Sequence, residues 1–195
     1  MTSTAALPGF ADDVHDAQAT FRAVLEAMAH PGRTVTVPGP KAVPSGLDPA
    51  TAALLLTLCD GDTPAWLDRG AAPIAEWLAF RTGTPRVATP AEAAFAVMLA
   101  PQVMPPLRDF DWGTDEVPEA STMLIVQVRA LAEGAGWMLR GPGIATQVRL
   151  SVGGLPEAWA ADRRAMQAAF PRGVDVVFAC GHRVAALPRT TIVES

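Results

Sequence analysis

Residues 93–99 read AAFAVML, seven apolar side chains with no polar interruption. A strand with one face in water alternates polar and apolar residues, whereas a strand covered on both faces does not. The stretch is too short for a core helix and far too short to span a bilayer. It therefore asks for a sheet packed on both sides. MLIVQV, within the strong strand signal at 121–131, has the same character, and VDVVFA and RVAAL read as two further strands joined at a tight CGH turn.

Helical periodicity alternates with these strands in the first half. At 13–29, Val14, Ala17, Phe21, Val24, Leu25 and Met28 recur at helical spacing and predict one buried stripe. Asp12 or Asp13 caps that helix, and Pro31-Gly32 stops it. TVTV at 34–37 follows as a strand ending at Pro38-Gly39-Pro40. Asp48-Pro49 opens a second helix, apolar nearly all round, that runs to Gly61. PAWL at 64–67 reads as a strand, and APIAEWLAFRT as a third helix stopped by Gly83.

The second half reads as hairpins. The strand at 121–131 is expected to turn at EGAG and return as WMLR, 137–140. TQVRL is another strand, and 155–169 a last helix. The fold class expected is α/β: a three-layer-like sandwich with a mixed β-sheet flanked by helices, in a single domain over 1–195. Residues 100–121 are a Pro-rich excursion whose Phe110 and Trp112 either tuck back onto the domain or meet a partner.

Charge narrows the function classes. The net charge is −5, and Lys41 is the only lysine among fifteen basic residues. Neither half is a basic tail, so neither nucleic acid nor an anionic membrane is an expected partner. Two distant cysteines do not make a disulfide scaffold, and MTSTAALPGF lacks the charged start and apolar core of a signal peptide. A cytoplasmic location with reduced thiols is the expectation.

Catalytic signatures are missing. The serines at 3, 45, 121, 151 and 195 have no nucleophile-elbow context. His15, His30 and His182, with the two cysteines, show no metal-ligand spacing, so no metal is expected. Lys41 follows no glycine-rich phosphate loop and is poorly placed for a Schiff base, and no dinucleotide fingerprint occurs. No cofactor and no catalytic residue are expected. One stretch invites a ligand. In LRGPGI, at 139–144, Gly141 and Gly143 let backbone amides approach an anion and Arg140 supplies a cation. Against that, Pro142 has no N–H to give, and a strand rather than a helix follows, which favours a structural turn. Arg172 in FPRGVD and Arg189 in LPRTT complete the candidate ligand set if they share a cleft with Arg140.

Five stretches in order, AQATFRAVLEAMAHPG (17–32), LCDGDTP (58–64), LRGPGI, FPRGVDVVF (170–178) and ALPRTT (186–191), resemble the H subunit of the bacterial carbon–phosphorus lyase system, the PhnH family. The resemblance implies a cytoplasmic homodimer whose fold is similar to the large domain of pyridoxal-phosphate-dependent transferases without the cofactor. It implies a complex with the G, I and J subunits. It also implies that G, H and I, helped by L, attach methylphosphonate to C1′ of the ATP ribose, displacing adenine and giving alpha-D-ribose 1-methylphosphonate 5-triphosphate. J later breaks the C–P bond. No catalytic residue carries over. Two roles stay open: a scaffold-like subunit, or a direct binder of ATP or phosphonate at Arg140, Gly141, Gly143, Arg172 and Arg189. A stand-alone enzyme has no positive signal. Trp66, Trp77, Phe80, Trp112 and Trp159 either fill the core or supply exposed apolar surface for the dimer.

Overall fold

The computed structural model describes residues 9–194. The opening MTSTAALP, most of the stretch read for a leader, and Ser195 lie outside the described residues. The order of elements is α1 (Asp13–Ala29), β1 (Val35–Thr36), α2 (Pro49–Leu58), β2 (Ala65–Leu67), α3 (Ala75–Thr82), β3 (Phe95–Met98), β4 (Met123–Gln127), β5 (Ala130–Arg140), β6 (Val148–Gly153), α4 (Trp159–Gln167), β7 (Asp175–Cys180), β8 (Arg183–Leu187) and β9 (Ile192–Glu194).

Six strands form a mixed sheet in the order β1-β8-β7-β4-β3-β2. The four at β7-β4-β3-β2 run parallel, and β8 and then β1 extend the sheet by antiparallel pairing. The period-two geometry of strands explains why the central segments are apolar throughout. Val97, Ile125 and Val177 face one core, with α1, α2 and α3. Their neighbours Met98, Val126 and Phe178 face the other. The fold is thus α/β with a mixed sheet, as expected. Its second face, however, is covered mainly by a three-stranded sheet, β6-β5-β9, together with α4 and the segment after β3. Trp159 of α4 ties these layers, stacking on Trp137 at 4.8 Å and meeting Phe178 edge-on at 5.6 Å.

The expected hairpin at 121–140 is wrong. β4 is a central strand of the large sheet, and the chain then crosses at Val128-Arg129 into the small sheet. EGAG does not reverse the chain. Glu133 and Trp137 both pair with Leu150 of β6, so the residues between them form a bulge in one long strand. Positive-φ glycines serve bulges as well as turns, which is why the signal misleads. The stripe expected on α1 also shifts. Thr20, Ala23, Val24 and Ala27 are buried, whereas Val14, Phe21 and Leu25 are 75%, 47% and 52% exposed. Small side chains let the helix lie close on its neighbours, and that closeness outweighs the larger apolar residues.

Residues 101–120 carry three single-turn 3-10 helices. Phe110 is buried, and the half-buried Trp112 packs on the same core, its indole N–H donating to Leu107 O at 2.7 Å. Trp77 and Trp159 are fully buried, while Phe80 stands 67% exposed.

Candidate functional site

LRGPGI folds as a type II turn. Ile144 N donates to Gly141 O at 3.1 Å, Pro142 takes the second position and Gly143, at φ 81°, the third. Glycine is required at both flanks for space as well. A Cβ on Gly143 would lie 2.1 Å from Ala29 O at the end of α1, and one on Gly141 2.8 Å from Thr190 O. The corner is therefore wedged between two other motif segments, HPG and LPRTT.

That wedge creates a cleft of about 320 Å³ lined by Pro142, Gln167, Phe170, Arg189, Thr190 and Ile192. Pro142 comes from the turn, Phe170 from FPRG, and Arg189 and Thr190 from LPRTT, so three of the five resembling stretches meet here. The wall is apolar, with Phe170 64% and Ile192 43% exposed. Gln167 is held by donating from Nε2 to Thr191 O at 2.9 Å.

Arg189 is the candidate arginine that lines the cleft, and its guanidinium is already engaged. Nη2 reaches Asp175 Oδ2 at 2.6 Å and Nε reaches Oδ1 at 3.3 Å, while Nη1 donates to Pro118 O. Its backbone N donates to Asp175 Oδ1 at 2.6 Å. The side chains are only 15% and 14% exposed, so the pair works as a clasp joining the start of β7, the end of β8 and the 100–121 segment. Beside it the fully buried Arg163 donates to Val174 O at 2.7 Å, to Leu187 O at 3.4 Å and to Pro188 O. Burial pulls its guanidinium down to about 10, partly offset by the Asp175 charge, and leaves it a cation at neutral pH.

The other two candidate arginines do not line this cleft. Arg140 lies 3.8 Å from Glu194 and donates to Gln147 at 3.3 Å. Arg172 pairs with Asp115 at 3.1 Å. Each has its own acid. Sequence reasoning missed the roles of Phe170, although FPRG was in view, and of Arg163 and Asp175. Arg163 sits in an amphipathic helix where an arginine ordinarily reads as surface. Gln167 and Ile192 carried no signal.

Lys41 is exposed in the loop after β1. Burial pushes the Cys59 thiol up to about 12. Among the described residues no cluster of His, Cys, Asp or Glu could hold a metal ion, and no helix is long and apolar enough to cross a membrane.

Residues 8–194 match the family described as bacterial phosphonate metabolism protein (PhnH). The chain is 40% identical over 193 residues to alpha-D-ribose 1-methylphosphonate 5-triphosphate synthase subunit PhnH of Rhizobium meliloti (strain 1021), covering 95% of this chain and 94% of that one. It is 32% identical over 177 residues to HtxG of Stutzerimonas stutzeri, provisionally named a C-P lyase subunit, covering 91% of this chain and 85% of that one. Matches over nearly the whole chain, together with motifs that converge in space on one cleft, make this protein a member of the PhnH family of bacterial phosphonate metabolism.

Proposed function

We propose that the protein is a non-catalytic subunit of a carbon–phosphorus lyase complex, needed with G, I and L subunits to form alpha-D-ribose 1-methylphosphonate 5-triphosphate from ATP and methylphosphonate. Its motif cleft is the surface that docks a partner subunit. The observation that carries this reading is the cleft's chemistry: two exposed apolar side chains, Phe170 and Ile192, beside a guanidinium committed to Asp175. Buried apolar anchors rimmed by polar groups are what a protein interface uses. A polyphosphate needs free cations instead, so this geometry lends less support to the other reading, a nucleotide or phosphonate site at Arg140, Gly141, Gly143, Arg172 and Arg189.

In this reading the working unit is a cytoplasmic homodimer with the large-domain fold of pyridoxal-phosphate-dependent transferases and no cofactor. The exposed Val14, Phe21 and Leu25 of α1 give a second copy apolar surface to cover.

The test is native mass, alone and mixed with the G, I and J subunits of the same organism. Wild type joins a defined larger assembly. Phe170→Asp/Ile192→Asp keeps its own mass and far-UV spectrum but fails to join. A double variant that assembles with unchanged stoichiometry overturns the docking surface. A wild type that ignores all three subunits overturns the complex.

A further inference from the structure

After Phe110 and Trp112 tuck back onto the core, the chain turns outward beside the motif cleft. Three contacts fix it there. Gly173 N donates to Trp112 O at 2.9 Å, Arg172 Nε lies 3.1 Å from Asp115 Oδ1, and Arg189 Nη1 donates to Pro118 O. Arg189 lines the cleft, and Arg172 and Gly173 closely follow Phe170 in the chain, so residues 114–119 form a margin of that cleft.

The margin has a fixed backbone. Thr114 N donates to Val117 O at 3.3 Å, Val117 N donates to Thr114 Oγ1 at 2.9 Å, and Ala120 N donates back to Val117 O at 3.3 Å. Gly113, at φ 70°, sits where an added Cβ would lie 2.7 Å from Pro118 O. Side chains presented from such a turn form contacts at a lower ordering cost.

Its chemistry is acidic with one apolar residue. Residues 108–119 hold five carboxylates and one arginine. Val117 is 45% exposed and adds a third apolar side chain to Phe170 and Ile192. The arginines around the cleft pair off: Arg189 has Asp175, Arg172 has Asp115 and Arg140 has Glu194. Arg164 of α4 has a partner of its own. Glu116 and Glu119 are exposed and make no ion pair among the described residues, so they stand as unmatched negative charge. Apolar anchors inside a polar rim are how a protein interface is built, and rim charges select a partner of complementary sign and speed its approach.

We propose, resting on the docking reading above, that the partner segment seated here is cationic. Its apolar side chains cover Phe170, Ile192 and Val117, and flanking lysine or arginine side chains meet Glu116 and Glu119.

The experiment is the association rate of the full chain with the assembled G, I and J subunits of the same organism, followed by biolayer interferometry at low and high salt. At low salt Glu116→Lys/Glu119→Lys slows association by about tenfold or more and leaves dissociation nearly unchanged, as rim charges that steer an encounter require. Glu116→Gln/Glu119→Gln falls between that variant and wild type. These side chains are exposed and without partners, so the melting temperature stays at the wild-type value. Raising the salt slows wild type and narrows the gap. Asp62→Lys/Glu76→Lys, exposed in the turn before β2 and in α3, changes the net charge equally and keeps the wild-type rate. Wild-type rates in Glu116→Lys/Glu119→Lys, with Phe170→Asp/Ile192→Asp failing to bind, overturn the cationic partner alone. Faster association in Glu116→Lys/Glu119→Lys overturns it in favour of an acidic partner, and equal slowing in Asp62→Lys/Glu76→Lys overturns it in favour of net charge. A wild type that does not bind, or a Phe170→Asp/Ile192→Asp variant that binds like wild type, overturns the docking reading and this one with it.

Discussion

Replacing Arg189 with methionine removes one half of the clasp and leaves the other half stranded. Asp175 is then a carboxylate only 14% exposed, keeping the Arg189 backbone N–H as a donor but no counter-charge. Pro118 O loses its guanidinium donor too. Breaking a buried pair by removing one partner costs about 3–5 kcal/mol, and the residual solvent contact here puts Arg189→Met at the lower end, about 3 kcal/mol. For a chain of this length each kcal/mol moves Tm by roughly 2–4 °C, so the melt falls by roughly 6–12 °C. Asp175→Asn keeps an acceptor for that backbone N–H but leaves the cation uncompensated, so it is also destabilised. Urea unfolding followed by tryptophan fluorescence closes a double-mutant cycle with Arg189→Met/Asp175→Asn, and the coupling is expected at roughly 1–3 kcal/mol. If Arg189 is instead a ligand residue held in reserve, Arg189→Met melts like wild type and the coupling vanishes. That result refutes the clasp.

Gly143→Ala forces a side chain to φ 81° and places its Cβ against Ala29 O, so it should cost about 3 kcal/mol or more. Gly134→Ala, at φ 79° in open space, should cost only about 1 kcal/mol; equal urea midpoints for the two would remove the packing argument. Cys59 titrates near 12 when folded against an ordinary 9.0, so the unfolded chain ionises first as pH rises. Its contribution to stability is complete below about 9 and is lost toward 12, at about 1.4 kcal/mol per pH unit, and Cys59→Ala should lack this component of the slope. Parallel pH profiles for the two proteins would contradict it. If the proposed homodimer is covered at α1, Phe21→Glu on its exposed face should shift the protein toward monomer in sedimentation without lowering its melting temperature. A wild type that sediments as a monomer would overturn the dimer, and a dimer unchanged in Phe21→Glu would overturn this face as its interface.

Sequence by itself determined the layered α/β class. AAFAVML and VDVVFA carry no polar residue on either face of most of their length, and only a sheet covered on both sides satisfies that. It also determined the start of α1, where Asp12 accepts from Val14 and His15, and the end of α3, which Gly83 closes at φ 72°, whereas α2 stops at Leu58 rather than Gly61 and α4 spans only Trp159–Gln167. These are local rules, and local residues suffice to read them. The family was legible for a different reason, since its motifs are strings. Tertiary structure decided the rest. Whether EGAG turned the chain or bulged it depended on β6, and which face of α1 was buried depended on how closely α2 and β8 approach. The arginines look alike in sequence, each beside a turn or at an element's end. Arg189 became a clasp because Asp175 lies across from it at the start of β7, while Arg140 was left beside Glu194 and Arg172 beside Asp115 at the surface. A side chain's charge is written in the sequence, but its partner is chosen by the packing of segments far apart along the chain.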